Sequence, residues 1–123
     1  MVKKETTIPT LLNIILENVE DVMNFVEGMS LEDFLDDKKT LRACERGIEI
    51  IGDACKEVLN RAEAEHFALE SETVKLFKAV YGTRNFLSHG YDSPDFRLLY
   101  NILLNDLPDF KPVVMRLQKG YES

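Results

Sequence analysis

The segment from Arg84 to Tyr91, which reads RNFLSHGY, gathers four side chains that could do chemistry. It holds a permanently charged guanidinium, the Asn85 amide, the His89 imidazole and a phenol. Histidine exchanges protons near neutral pH, and the planar fork of arginine binds two oxygens of a phosphate. A structural explanation is also open, because a cation and a histidine in the last turn of a helix complement its dipole and Gly90 could cap that turn.

The hydrophobic pattern predicts that helices position this segment. Apolar residues alternate at spacings of four and three along two long stretches, as in a helix with one buried face. We expect helices over about Ile8–Gly28 and Thr40–Glu65, with a short helix between them that is opened by a capping arrangement at Ser30–Asp33. No run alternates with period two, so the sequence predicts an all-α, antiparallel up-and-down bundle of four to five helices.

The motif falls at the end of a third long helix. Ser71 is suited to cap this helix, which we expect to run to about Ser88. Three further features are expected in the rest of the chain: an N-cap and first helical position at Ser93 and Pro94, a break at Asp106–Pro108, and a last amphipathic segment at Val113–Leu117.

Small residues lie off the apolar stripe of the second long helix, at Gly47, Gly52, Ala43 and Ala54. Small side chains let another helix approach closely, so a second packing face, and with it a dimer, is one explanation. The other is that these glycines lie on an exposed face and weaken the helix. The sequence leaves both open.

Length and composition favour one domain. A chain of 123 residues, 45% of them hydrophobic, fits a single helical domain over residues 1–123. No apolar run reaches the roughly eighteen residues of a membrane span, and no cleavage site follows the apolar stretch Ile8–Leu16, so we expect a cytoplasmic protein without a membrane helix. The net charge of −7 argues against broad electrostatic binding of nucleic acid, so any such contact must be local.

No cofactor or metal site is expected. Cys44 and Cys55 are about 16 Å apart along one expected helix, which is too far for a disulfide. No histidine or cysteine lies at ligand spacing around either, so we interpret both as small core residues in a reducing compartment, and His66 as a surface histidine. The sequence also has no glycine-rich phosphate loop and no paired metal-binding histidines.

The motif and its flanks resemble a known family. Arginine, four residues, histidine, any residue and tyrosine form a pattern similar to that of the HEPN superfamily, and RNFLSHGY resembles its HepT-like branch of bacterial toxins. The stretches EGMSLEDFLDD, IEIIGDACK and NDLPDFKPVV resemble the earlier and closing helices of that branch, so the resemblance covers nearly the whole chain in order. Asp53 stands where the branch would have Glu, and the chain has no Trp where one is expected before the motif.

The resemblance implies a metal-independent endoribonuclease toxin that acts as a homodimer on RNA. Arg84 and His89 would be the catalytic residues, with Asn85 and Asp53 in supporting roles. On an ideal helix the positions of Arg84 and His89 are about 140° apart, so two copies could present both groups to one phosphate more easily than one copy. Tyr91 would be the residue to which a nucleotidyltransferase antitoxin of the MntA type attaches AMP, which would inhibit the toxin.

Two other functions fit the sequence. The first is a non-catalytic helical module that binds a partner nucleotidyltransferase or its nucleotide, which suits the acidic surface. The second is a purely structural helical dimer. Loss of cleavage and toxicity in Arg84→Ala and His89→Ala with the fold intact would favour the ribonuclease, whereas loss of helicity in both would favour the capping explanation.

Overall fold

The computed structural model describes the backbone of residues 6–88 and 95–122 and the side chains of residues 6–83 and 95–121. Within these ranges every regular element is helical and no strand occurs, which confirms the predicted all-α class. The elements, in chain order, are α1 (Ile8–Phe25), α2 (Leu31–Asp36), α3 (Lys38–Ala64), α4 (Ser71–Ser88), α5 (Phe96–Asn101), a π-helical turn (Ile102–Asp106) and α6 (Leu107–Glu122). No helix in the described part of the chain is both long enough and apolar enough to cross a membrane.

Local hydrogen bonds decide where α2 and α3 begin. The Ser30 hydroxyl accepts from the Asp33 N–H at 3.0 Å, and the Asp33 carboxylate accepts from the Ser30 N–H at 3.4 Å, which is the predicted capping box. Asp37 caps α3 by accepting from the Thr40 N–H at 3.0 Å. This backbone hydrogen bond stabilises the carboxylate and lowers the pKa of Asp37.

Four long helical stretches form the bundle. The apolar faces of α1 and α3 pack against each other, α4 packs on α3, and α6 packs on α1. Two pairs fix α1 and α6 as antiparallel, since Lys111 contacts Glu20 and Gln118 contacts Asn13. The buried core is made of residues from each long helix, including Leu12, Ile15, Val19, Ile48, Ile51, Val58, Phe77, Leu99, Phe110 and Val114.

Neither explanation offered for the small residues of α3 holds for Gly47. This glycine is buried, and a Cβ placed on it would lie 2.3 Å from Cγ1 of Val22 in α1. Gly47 therefore lets α1 and α3 approach closely within one chain, and it is neither a free dimer surface nor an exposed weak point. Gly52 is buried as well.

The expected start of α5 was wrong by two residues. The helix begins at Phe96, and its N-cap is Asp95, whose carboxylate accepts from the Leu98 N–H at 3.0 Å. An acidic side chain at this position satisfies a free N–H and also favours the positive end of the helix dipole. Ser93 and Pro94, which were expected to open the helix, lie outside the described residues.

The expected break at Asp106–Pro108 was also wrong, because helix continues from Phe96 to Glu122. The Leu107 N–H donates to the Ile102 carbonyl five residues back, in a π-helical turn. Such a turn is wider than an α-helical one, so the carbonyl of Leu104 has room to move away from the Pro108 ring, which an ideal α-helix would bring into collision. The amphipathic segment Val113–Leu117 is therefore the middle of α6, not a separate element.

Candidate functional site

Helix α4 positions the first part of the motif. Its backbone is helical to Ser88, as predicted, so Arg84 and Asn85 lie in its last two turns. The side chains of these two residues lie outside the described ranges, and so do all atoms of His89 and Tyr91. The roles of these four residues therefore stay predictions from the sequence.

The contact between α3 and α4 sets the level of Asp53 relative to the motif. The Lys56 ammonium lies 5.2 Å from the centre of the Tyr81 ring, a favourable distance for a cation over an aromatic face. The two helices are joined by six residues, 65–70, and run antiparallel. Residue 84 lies about one turn beyond Tyr81, towards Ser88. Because α3 runs in the opposite direction, Asp53, about one turn before Lys56, is displaced the same way. The exposed Asp53 is therefore level with Arg84 on the neighbouring helix.

The chain returns from the motif segment onto α3 as well. Phe96, the first residue of α5, has its ring 5.7 Å from the guanidinium carbon of Arg42. Arg42 also bonds to Glu45 with Nη1 and Oε1 3.0 Å apart. One turn further along α3, Arg46 and Glu49 form a longer ion pair at 3.8 Å. Both ends of the described chain around the motif are thus anchored to the same helix.

The outer face of α3 is defined here by Arg42, Arg46, Glu49, Asp53 and Lys56. On an ideal helix these five positions fall within an arc of about 80°, opposite the buried stripe. Sequence reasoning found the acidic member at 53 and missed the cations. The signal was present in their spacing of four, three, four and three, but such a row of charges on a helix is usually just a solvated face.

An apolar cavity of about 360 Å³ lies on the other side of α4. Thr83, the residue before the motif, lines it, and its hydroxyl donates to the Ala79 carbonyl at 3.0 Å. Asp106 and Asp109 contribute carboxylates to the lining. The apolar part is formed by side chains from α3, α4, the π-helical turn and α6, namely Ile48, Leu76, Ala79, Val80, Ile102, Leu107 and Phe110.

The two cysteines and His66 are the remaining residues for which the sequence predicted structural roles. Both thiols are buried, as predicted, and burial raises the pKa of Cys44 to about 11 and that of Cys55 further still. His66 is exposed just after α3, with a φ of 55°. Across the two described stretches of chain, no three His, Cys, Asp or Glu side chains are grouped to hold a metal ion.

The fold and the motif helix define the class as an all-helical bundle with an Arg/His motif at the end of α4. A family model described as Ribonuclease HepT-like matches residues 15–117. The chain belongs to this HepT-like ribonuclease family. No solved structure matches the chain.

Individual relatives agree with the family. "Probable ribonuclease HepT" of Thermococcus cleftensis is 32% identical over 108 residues, which are 88% of this chain and 93% of the relative. "Putative RNase MJ0127" of Methanocaldococcus jannaschii is 32% identical over 109 residues, 89% of this chain and 85% of the relative. A third relative, "Putative RNase TTE0752" of Caldanaerobacter subterraneus, is 29% identical over 106 residues, 86% of this chain and 89% of its own. The family and the names of these relatives support ribonuclease activity for this chain in general terms.

Proposed function

We propose that this chain is a metal-independent endoribonuclease toxin that acts in the cytoplasm as a homodimer. Arg84 and His89 are its catalytic residues, and a partner nucleotidyltransferase antitoxin controls it through Tyr91. Family membership supports ribonuclease activity. The observation that carries the site is the antiparallel register of α3 and α4, which sets Asp53 level with Arg84.

The proposed reaction is internal transesterification of RNA. The 2′-oxygen attacks the adjacent phosphorus, its proton passes to a base, and the bond from phosphorus to the 5′-oxygen breaks as that oxygen takes up a proton. The products are a 2′,3′-cyclic phosphate and a free 5′-hydroxyl. His89 moves protons in this reaction, and Arg84 stabilises the charge on the non-bridging oxygens of the phosphorane.

Asp53 and Asn85 have supporting roles in the proposal. A carboxylate opposite a guanidinium orients its planar fork, so Asp53 would hold Arg84 towards the phosphate. Asn85, the next residue on α4, would help to position the same phosphate. The shorter reach of Asp, compared with Glu, suits a partner at the same level of the adjacent helix.

The packing of α4 supports the proposed dimer. Among residues 71–83, Phe77 alone is fully buried, while Leu76 and Val80 are half-buried and line the apolar cavity. A second copy that covers this side of α4 would bury both and would bring two motif segments together. Each copy could then supply one of the two catalytic groups.

Tyr91 is the proposed control point. The antitoxin would transfer AMP from ATP, forming a bond from the tyrosine oxygen to the α-phosphorus and releasing pyrophosphate. The product carries a negative phosphodiester seven residues from Arg84. Charge and bulk together would exclude RNA from the site.

The primary test is cleavage of labelled RNA by the purified protein in excess EDTA, with His89→Ala prepared in parallel. Cleavage by the unmodified protein and its loss in His89→Ala are the expected results. Equal cleavage, or none, in both preparations contradicts the ribonuclease proposal and favours the module that binds a nucleotidyltransferase. Asp53→Asn should lower the rate, while Glu63→Gln, an exposed carboxylate near the far end of α3, is the matched control.

A mixing experiment tests whether the site is shared between copies. Arg84→Ala and His89→Ala are each expected to be inactive. When the two are unfolded together and refolded, heterodimers contain one site with both groups intact, so roughly a quarter of the unmodified activity should return. No recovery would show that each copy supplies both groups itself.

A further inference from the structure

The outer face of α3 carries two arginines that have no role in the proposed reaction. Its N-terminal half exposes Arg42 and Arg46, with 57% and 62% of their side chains accessible. They are one helical turn apart, about 6 Å along the axis. Asp53, which marks the level of Arg84, is about 10 Å from Arg46 along the same face.

We propose that Arg42 and Arg46 bind consecutive backbone phosphates of the RNA on one side of the cleavage site. This inference rests on the proposed ribonuclease function and adds the residues that position the substrate. Arginine is suited to the role because its fork binds phosphate oxygens in pairs and keeps its charge at any physiological pH.

Arg42 is held in place before any ligand arrives. The Phe96 ring lies 5.7 Å from its guanidinium carbon, and Glu45 occupies Nη1 at 3.0 Å. A guanidinium has five N–H donors, so most of the fork stays available to a phosphate. Because Phe96 opens the helix that follows the motif segment, this contact fixes Arg42 where the chain comes back onto α3.

Arg46 is held more loosely. Its pairing distance to Glu49 is 3.8 Å, which is beyond a hydrogen bond. Exposed ion pairs of this kind contribute little to stability, so Arg46 can exchange Glu49 for a phosphate at small cost. Arg46 also lies between the two anchor points of the motif, the Lys56–Tyr81 contact and the Arg42–Phe96 contact.

The acidic character of the chain makes such local phosphate contacts necessary. With a net charge of −7, the protein as a whole repels RNA at long range. Glu45, Glu49 and Asp53 also face the same side as the two arginines and compete with phosphates. Binding therefore depends on close contacts at specific arginines, and removal of a competing carboxylate should strengthen it.

The test is binding of a fluorescent single-stranded RNA that is 2′-O-methylated throughout and so cannot be cleaved by internal attack. Fluorescence anisotropy gives the affinity at several salt concentrations. Arg42→Gln and Arg46→Gln should each weaken binding roughly tenfold, and each should reduce the slope of log affinity against log salt by about 0.7, the value for one phosphate contact with a single strand. Glu49→Gln should increase the affinity, because Arg46 then has no carboxylate to exchange for a phosphate.

Arg116→Gln is the matched control. Arg116 is an exposed arginine on α6 that lines a groove with Glu72 and Thr73 at the Ser71 end of α4. Arg116→Gln changes the net charge by the same amount as Arg42→Gln, at a position about 23 Å along α4 from Ser88. Equal effects of Arg116→Gln and Arg42→Gln would overturn the proposal, and so would unchanged slopes or no binding by the unmodified protein.

Failure of this inference and failure of the ribonuclease proposal give different results. Suppose that the unmodified protein cleaves natural RNA but the salt slopes do not change in the arginine variants. That result overturns only the proposed phosphate contacts of Arg42 and Arg46. Unmodified protein that binds the methylated RNA through Arg42 and Arg46 but cleaves no RNA overturns the ribonuclease alone. Circular dichroism on every variant shows that the fold is retained.

Discussion

The close approach of α1 and α3 can be tested by adding one methyl group. In Gly47→Ala the new Cβ would lie 2.3 Å from Cγ1 of the buried Val22, well inside van der Waals contact. A valine in a helix has one strongly preferred rotamer, so it cannot simply turn away. The helices must move apart, or the valine must leave its rotamer.

The magnitude follows from two opposing terms. Overpacking a core costs about 1–3 kcal/mol, and the stiffness of Val22 favours the upper half of that range. Replacing a glycine inside a helix by alanine stabilises the helix by about 1 kcal/mol. The expected net effect is a loss of about 1–2 kcal/mol in the free energy of unfolding, taken from these two ranges.

Gly82→Ala is the matched comparison, because a Cβ on Gly82 meets no atom within 4 Å. This variant should gain about 1 kcal/mol from helix propensity alone. Urea unfolding followed by circular dichroism, with all proteins at one concentration, measures both. If Gly47→Ala stabilises the protein as much as Gly82→Ala does, the argument for close packing is refuted. Adding Val22→Ala should reduce the penalty of Gly47→Ala, which a double-mutant cycle would detect as coupling.

Three further results are expected. Ser30→Ala should lower the free energy of unfolding by about 1 kcal/mol in urea, because the Asp33 N–H loses its capping acceptor. Tyr100→Phe should cost about 1 kcal/mol in the same assay, since the hydroxyl donates to the Met29 carbonyl at 2.8 Å, while the ring contact with Phe34 is kept. Burial raises the pKa of Cys44 from 9.0 to about 11, so the folded protein retains a proton that the unfolded chain loses. Stability from this thiol is complete below pH 9.0 and falls as the pH rises towards about 11, and Cys44→Ala should make the fall less steep in urea titrations across that range.

Features that depend on neighbours in the chain could be predicted from the sequence. The capping box at Ser30 and Asp33 closes within three residues, and the apolar stripes of α1 and α3 repeat within one helix. The helical backbone of α4 up to Ser88 follows from the same local rules. These signals need no knowledge of how the helices pack.

The missed features depend on packing between distant parts of the chain. Gly47 is explained by Val22 on another helix, and Arg42 by Phe96, which is 54 residues away. Neither spacing is visible in a single sequence. The error at Pro108 has a different origin, because the rule that proline ends a helix assumes α-helical geometry, and the π-helical turn before it changes that geometry.

The candidate site also has one part that is visible in the sequence and one part that depends on helix packing. The chemistry assigned to the motif stays a prediction from its residue types and its resemblance, while the antiparallel packing of α3 and α4 adds the position of Asp53 beside residue 84.

An acidic ribonuclease also gains something from its unfavourable overall charge. If RNA is attracted mainly by Arg42, Arg46 and Arg84, the loss or neutralisation of one positive charge changes the local balance greatly. A phosphodiester attached at Tyr91, as proposed, would add one negative charge to that small set, in a protein whose net charge of −7 already repels RNA. On a strongly basic nuclease the same modification would remove a small fraction of the attraction. Under the proposed function, the charge of −7, which argues against general nucleic-acid binding, would therefore make a single covalent modification an efficient switch.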